Sequence, residues 1–149
     1  MNAKRMRLAA FAAAALVAAV AAVGAQTGDK YTARLGWVPI AGAERANVTG
    51  KGAATATLAG TRLTITGSYE GLAGAATIAR LHRGVAKGAR GPAIGDLVVT
   101  KGTTGTISGS VDLNPQQLES LKQGRLYVLL HSEKGVAPDG SSLWGWFLR

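Results

Sequence analysis

Short segments of alternating apolar and polar residues, separated by glycine-rich turns, run through most of the chain. The clearest is residues 63–69 (LTITGSY), which follow a similar segment at 54–58 after the turn at Gly60-Thr61. A period of two residues is typical of half-buried β-strands, and this spacing predicts a β-hairpin. About eight such segments lie between residues 31 and 148. They predict an all-β protein, an antiparallel β-sandwich or barrel.

One segment follows a helical pattern instead. Asn114 is a favourable N-cap, Pro115 fits the first helical position, and Gly124 is a typical helix terminator. We therefore predict one short helix near residues 114–123. The continuous apolar run at 126–131 predicts a strand that is buried on both faces. The segments 39–52 and 132–140 are rich in glycine, proline and charge, and are predicted to be loops.

The first 25 residues have the pattern of a secretory signal peptide. Lys4, Arg5 and Arg7 precede an apolar run of 16 residues at 8–23, and small residues allow cleavage after Ala25. An uncleaved membrane anchor is the alternative, but the run is shorter than the roughly 20 residues of a membrane-spanning helix. We predict a signal peptide at 1–25 and a single exported domain at 26–149, which contains no further transmembrane segment.

Composition removes several classes of function. The chain has 149 residues, enough for one domain, and contains no cysteine. Disulfide scaffolds, zinc ribbons and cysteine nucleophiles are therefore excluded. The net charge is +9 for the full chain and becomes +6 without the three basic residues of the signal peptide. A cysteine-free chain with this leader is typical of a bacterial periplasmic or secreted protein.

Four segments of the chain resemble, in order and spacing, the chordin-type (CHRD) domain in its stand-alone bacterial form. They are residues 31–39, 72–84, 91–94 and 118–140. The resemblance implies a β-sandwich of CHRD type and a non-catalytic binding or interaction module in an exported protein. It carries no settled biochemical activity.

Two segments depart from the family pattern. The strand that usually reads His-x-His is Arg80-Leu81-His82 here, and the usual Gly-Glu-Ile-Arg-Gly stretch is replaced by residues 140–145 (GSSLWG). The family layout is also distantly similar to copper–zinc superoxide dismutase. This analogy implies the alternative function, a metal-binding or degenerate dismutase-like protein.

His82 and His131 are the only histidines, and they are the candidate metal ligands of that alternative. A metal site normally needs three or four ligands, and Arg80 stands where a third imidazole is expected from the family pattern. The nearby carboxylates that could complete such a site are Asp96, Glu133 and Asp139. The other interpretation is that both histidines form hydrogen bonds with loops. We therefore expect no cofactor, and copper or zinc would be bound only under the metal-binding alternative.

Four cations lie within eleven residues: Arg80, Arg83, Lys87 and Arg90. They predict a binding surface for an anionic partner in the cell envelope or outside the cell. The alternative is a solvated loop that contributes only charge. Nucleic acid is not an expected partner, because no aromatic stacking residues are interleaved.

No catalytic motif is present. The sequence lacks a Gly-x-Ser-x-Gly elbow, a Walker loop and a dinucleotide-binding fingerprint. We therefore expect a protein that is not an enzyme. The expected working surface comprises Arg80, His82, the loop at 83–91 and His131.

Overall fold

The computed structural model describes residues 27–149, so the predicted signal peptide lies outside the described residues. Eight strands and one α-helix follow one another along the chain. The strands are β1 (Asp29–Trp37), β2 (Lys51–Ala59), β3 (Arg62–Glu70), β4 (Ala76–Arg83), β5 (Ala93–Val99), β6 (Gly105–Asp112), β7 (Leu126–Val136) and β8 (Ser141–Trp146). The helix α1 (Pro115–Lys122) precedes β7, and a 3-10 helix (Gly42–Asn47) follows β1.

The strands form a closed antiparallel barrel in the order β1-β2-β3-β6-β5-β4-β7-β8. Closure comes from β8, which pairs with β1 through Gly36↔Trp144 and Trp37↔Leu143. The predicted fold class is confirmed, with the barrel as the observed alternative. Closure pairs every strand on both sides and leaves no open sheet edge.

The barrel interior is filled by the inward-facing residue of each alternating pair. Ile65, Leu81 and Leu130 are fully buried there, together with the small side chain of Ala56. Alternation of small and large residues suits the limited width of an eight-stranded barrel. The period-two pattern of the sequence therefore corresponds directly to the core of the protein.

Helix α1 lies at the end of the barrel where β7 begins. The Asn114 side chain accepts a hydrogen bond from the backbone of Gln117, and the Gln117 side chain accepts one from the backbone of Asn114. Gly124 follows the helix with a φ of 67°, a conformation that favours glycine. Leu121 is fully buried in the barrel core, so the helix covers this end.

A second, smaller apolar cluster lies outside the barrel on β7 and β8. Its buried members are Val38, Tyr127 and Leu129, and the half-buried Trp144 and Trp146 pack against them. This cluster explains the continuous apolar run of β7. The inward residues of β7 face the barrel core, and its outward residues face this second core. The prediction of a strand buried on both faces is confirmed.

Two predicted loops differ from the structure. Residues 39–52 contain the 3-10 helix and the start of β2, and β7 continues to Val136 inside the predicted loop 132–140. In the second case Val136 pairs with Ser141 beyond a bulge at His131. Polar and glycine residues can extend a hairpin because backbone groups make the ladder, so the side-chain pattern did not predict the extension.

Candidate functional site

Two of the four predicted binding cations are neutralised by carboxylates. Arg80 donates from Nε to Asp96 Oδ1 at 2.8 Å, between β4 and β5. Arg90 lies 3.7 Å from Asp139 Oδ2, with a long hydrogen bond of 3.4 Å to Ser141 Oγ. These pairs are partly exposed, so they hold the side chains in place more than they add stability.

The other two cations form no ion pair within residues 27–149. Arg83 donates from Nε to the hydroxyl oxygen of Ser120 on α1 at 2.9 Å. Lys87 is exposed in the connection between β4 and β5. The structure adds Arg125, which donates to the same Ser120 oxygen at 3.3 Å. The predicted cations thus separate into a neutralised group and a group beside α1.

Residues 84–92 form a strap that folds back over the outer face of the barrel. The hydroxyl of Tyr127 lies at hydrogen-bonding distance from both the backbone nitrogen (3.2 Å) and the carbonyl oxygen (3.3 Å) of Gly91. A Cβ at Gly91 would lie 1.9 Å from the carbonyl oxygen of Arg83, so only glycine fits this close approach. The ion pair of Arg90 with Asp139 then joins the strap to the β7–β8 turn, which comes from the opposite end of the barrel.

Both histidines hydrogen-bond these two loops. His82 donates from Nδ1 to the carbonyl oxygen of Gly91, and His131 from Nδ1 to that of Asp139, each at 2.9 Å. The Nε2 atoms of both rings are buried and have no hydrogen-bond partner within residues 27–149. His82 also stacks on Tyr127, with ring centroids 5.0 Å apart.

Burial lowers the pKa of His82 below its ordinary value, because the charged ring would lose hydration. The hydrogen bond to Gly91 opposes this shift, while the positive charges of His131, Arg80 and Arg90 add to it. For Asp139, burial raises the pKa, but hydrogen bonds from Ser141, together with electrostatic interactions with His131 and Arg90, outweigh it and the net pKa is lowered. The neighbourhood therefore favours a neutral His82 and an ionised Asp139.

The register of β4 and β7 separates the two histidines. His82 lies opposite Tyr127, whereas His131 lies opposite Ile78, four residues further along the ladder. Four residues of strand span about 13 Å, so the two rings start from distant backbone positions. In the described part of the chain, no group of three or more His, Cys, Asp or Glu could hold a metal ion.

Larger cavities lie at the other end of the barrel, where no site residue was predicted. One of about 420 Å³ is lined by Arg34, Lys51, Tyr69 and Glu70, among others. Lys51 and Glu70 form an exposed ion pair across it at 3.4 Å. Lys51 is paired there, whereas Arg34 forms no ion pair within residues 27–149, so this cavity has fewer uncompensated cations than the region beside α1.

Comparison with protein families matches residues 38–140 to the CHRD domain. This match covers more than half of the chain. The chain belongs to the CHRD domain family. The comparison with curated proteins found no significant match, and neither did the comparison with solved structures.

Membership of the CHRD family indicates a binding or interaction module, and the family is generally non-enzymatic. The matched segment begins after β1 and ends before β8, yet these two strands close the barrel. Across residues 27–149 we find no helix with the length and apolar character needed to span a membrane.

Arg125 and Ser120 were not among the site residues predicted from the sequence. Arg125 lies 35 positions beyond Arg90 in a different connection, and Ser120 is one polar residue in an ordinary short helix. The one available signal was the position of Ser120 on the apolar side of α1, one residue before Leu121, where a buried serine needs hydrogen-bond partners.

Proposed function

We propose that the protein is an exported, non-catalytic CHRD module of the bacterial cell envelope, periplasmic or secreted, that binds an anionic partner. The observation that carries the proposal is the division among its cations. Arg80 and Arg90 are engaged by carboxylates, whereas Arg83 and Lys87 are left without one in residues 27–149. Positive charges without local carboxylates remain available to a negatively charged partner.

The strap supports the same proposal, because it fixes the backbone that carries Lys87 and Arg90. Tyr127 and His82 bind Gly91, and Gly84 donates to the carbonyl oxygen of Arg125 at 2.8 Å. A loop held at both ends loses less conformational entropy on binding than a free one. Export is supported by the basic residues and apolar run of the leader at 1–25.

The test is retention of the protein on an anionic polysaccharide matrix such as dextran sulfate, with neutral dextran as the reference. The variant carries Arg83→Gln, Lys87→Gln and Arg90→Gln together. We expect the wild-type protein to be retained at low salt and the triple variant to elute near the neutral reference. Retention should weaken with added salt, because exposed charges are screened.

A matched variant separates a local surface from total charge. Lys30→Gln, Arg34→Gln and Arg45→Gln together remove the same charge from exposed residues outside the strap. This variant should be retained like the wild-type protein. Equal loss of retention in both variants, or no retention of the wild-type protein, would contradict the proposal.

The second candidate function is metal binding through His82 and His131, using copper or zinc. The buried Nε2 atoms without partners favour it, because each Nδ1 is held by a carbonyl group in the manner of metal-ligating histidines. Binding by both rings would require at least one further ligand. The melting temperature with and without copper(II) or zinc tests it: a stabilisation that disappears in His131→Ala supports a metal site, and its absence rules the site out.

A further inference from the structure

A small pocket lies beside α1, where the strap leaves β4. It has a volume of about 280 Å³ and is lined by Arg83, Gly84, Val85, Pro92 and Arg125. This volume is at the lower limit for small-molecule sites, which start at about 300 Å³. It suits a small ion or the terminal group of a larger molecule.

Ser120 holds the two arginines of this pocket side by side. Its hydroxyl donates to the carbonyl oxygen of Gln116 at 2.8 Å and accepts from Arg83 Nε at 2.9 Å and Arg125 Nη2 at 3.3 Å. A serine hydroxyl has one donor and two acceptor positions, so all three are occupied. Ser120 is fully buried, and this arrangement restrains both guanidinium groups.

The two charges are not compensated by the protein. Neither arginine forms an ion pair within residues 27–149, and Glu119 on α1 accepts instead from Gln123 at 2.9 Å. The Nε atom of Arg125 is buried without a hydrogen-bond partner among the described residues. Two like charges side by side are unfavourable, and an anion bound between them would relieve their repulsion.

The backbone around the pocket is closely fitted. Gly84 is buried, and a Cβ there would lie 2.5 Å from the carbonyl oxygen of Ala89 and 2.7 Å from the Trp146 ring. Arg125 Nη1 also lies 3.5 Å from the carbonyl oxygen of Val85, at the limit of a hydrogen bond. The strap therefore fixes the backbone that lines the pocket, and the donors of the pocket are placed before any ligand arrives.

We propose that Arg83 and Arg125 bind a tetrahedral oxyanion, a phosphate or sulfate group, with Ser120 as a positioning residue. Among residues 27–149 the Nη groups of Arg83 have no hydrogen-bond partner, and Arg125 retains further N–H groups, so donors are available from two side chains. One guanidinium fork is enough for a planar carboxylate, whereas two forks match the several oxygens of a tetrahedral anion. The inference rests on the proposed function in that it names the ligand chemistry for part of the same basic surface.

Titration of the protein with inorganic phosphate and with sulfate, followed by NMR and calorimetry, tests the site directly. We expect saturable binding, with shifts of the Arg125 and Ser120 resonances. Arg125→Gln should weaken binding about ten- to hundred-fold, the effect of losing charge-assisted hydrogen bonds. Arg125→Lys retains the charge but not the fork, and should also weaken binding. Arg45→Gln, an exposed residue of the 3-10 helix, is the control and should bind like the wild-type protein.

Ser120→Ala leaves every charge in place and should weaken phosphate binding if the hydroxyl positions the arginines. Absence of saturable phosphate and sulfate binding to the wild-type protein would overturn the proposal. So would equal binding by wild type, Arg125→Gln and Ser120→Ala, or binding of acetate as tight as that of phosphate. Circular dichroism of each variant shows whether a loss of binding reflects unfolding.

Separate measurements identify the source of the group and distinguish this proposal from the broader one. Vesicles with phosphatidic acid, compared with phosphatidylcholine alone, report a lipid phosphate, and dextran sulfate reports a sulfated polymer. Binding of free phosphate without retention on anionic matrices would uphold the pocket and contradict the proposed function. Retention that survives Arg125→Gln but not the triple variant, together with no saturable binding of phosphate or sulfate, would uphold the proposed function and overturn the pocket.

Discussion

The outer face of β7 and β8 differs sharply from the outer face of β2, β3 and β6. On β7 and β8, Tyr127 and Leu129 are buried together with Val38, which follows β1, and Trp144 and Trp146 pack beside them. On the other face, a row of hydroxyl side chains crosses three strands as Thr55, Thr66 and Ser108 in register. Thr66 and Ser108 are exposed, although both faces belong to the same barrel.

This difference between the two outer faces indicates which of them can hold a binding site. The hydroxyl face is stabilised by backbone pairing and needs nothing from its outward side chains. The apolar side chains of the aromatic face need to be shielded from water, so the strap is held in place by packing as well as by hydrogen bonds. Arg90 belongs to the strap, His82 binds it through Gly91, and strap residues line the pocket beside α1. A small second core therefore positions the candidate site.

Removing the ring of Tyr127 should have the largest effect on this contrast. Tyr127→Ala deletes a fully buried ring that stacks with His82 and lies 4.4 Å from the Trp146 ring centroid. We expect the free energy of unfolding to fall by about 3–5 kcal/mol, as for other buried aromatic residues. Urea denaturation of the variant and the wild-type protein measures it.

Two further variants show how that loss is composed. Tyr127→Phe removes only the contacts of the hydroxyl with Gly91, and should cost about 1–2 kcal/mol. Thr66→Ala on the hydroxyl face is the matched surface change and should cost less than about 1 kcal/mol. Comparable losses in Tyr127→Ala and Thr66→Ala would show that the aromatic face is not a second core.

A smaller effect is expected from pH. Because the pKa of His82 is lower in the folded protein than in the unfolded chain, the folded state binds fewer protons between these two values. The stability contributed by neutral His82 is complete above the unfolded pKa of about 6.5 and is lost as the pH falls through the folded pKa. Urea denaturation from pH 8 to pH 5 should show this loss, and His82→Gln should reduce it.

The control for this effect is the pH dependence of Thr66→Ala, which should follow the wild-type protein. An identical pH dependence in wild type and His82→Gln would show that His82 does not link the strap to protonation.

Much of the fold follows from local patterns. The alternation at 63–69 appears as β3, and Asn114, Pro115 and Gly124 bound α1 as predicted. Strand boundaries were less predictable where polar residues continue a ladder, as at 132–136. Backbone hydrogen bonds form there without the alternating apolar side chains that would indicate a strand.

The candidate site was only partly predictable. The cluster of Arg80, Arg83, Lys87 and Arg90 was visible as a run of charge, and both histidines were visible as the only imidazoles. Which cations have carboxylate partners was not, because Asp96 lies on β5 and Asp139 lies in the β7–β8 turn. Arg83, Arg125 and Ser120 come from three separate segments. No local pattern therefore predicts that both arginines donate to the Ser120 hydroxyl.

Local sequence patterns are sufficient to predict the all-β class, the helix α1 and the family, since these depend on periodicity, capping and the order of motifs along the chain. Three features are apparent only in the folded protein: the barrel closes, the strap contacts Tyr127 and Trp146 of the second core, and two arginines share a buried hydroxyl. The physical reason is the separation along the chain between the residues that interact. Strand and helix patterns are set by neighbours a few residues apart, whereas charge compensation and packing depend on residues that meet only after the chain has folded.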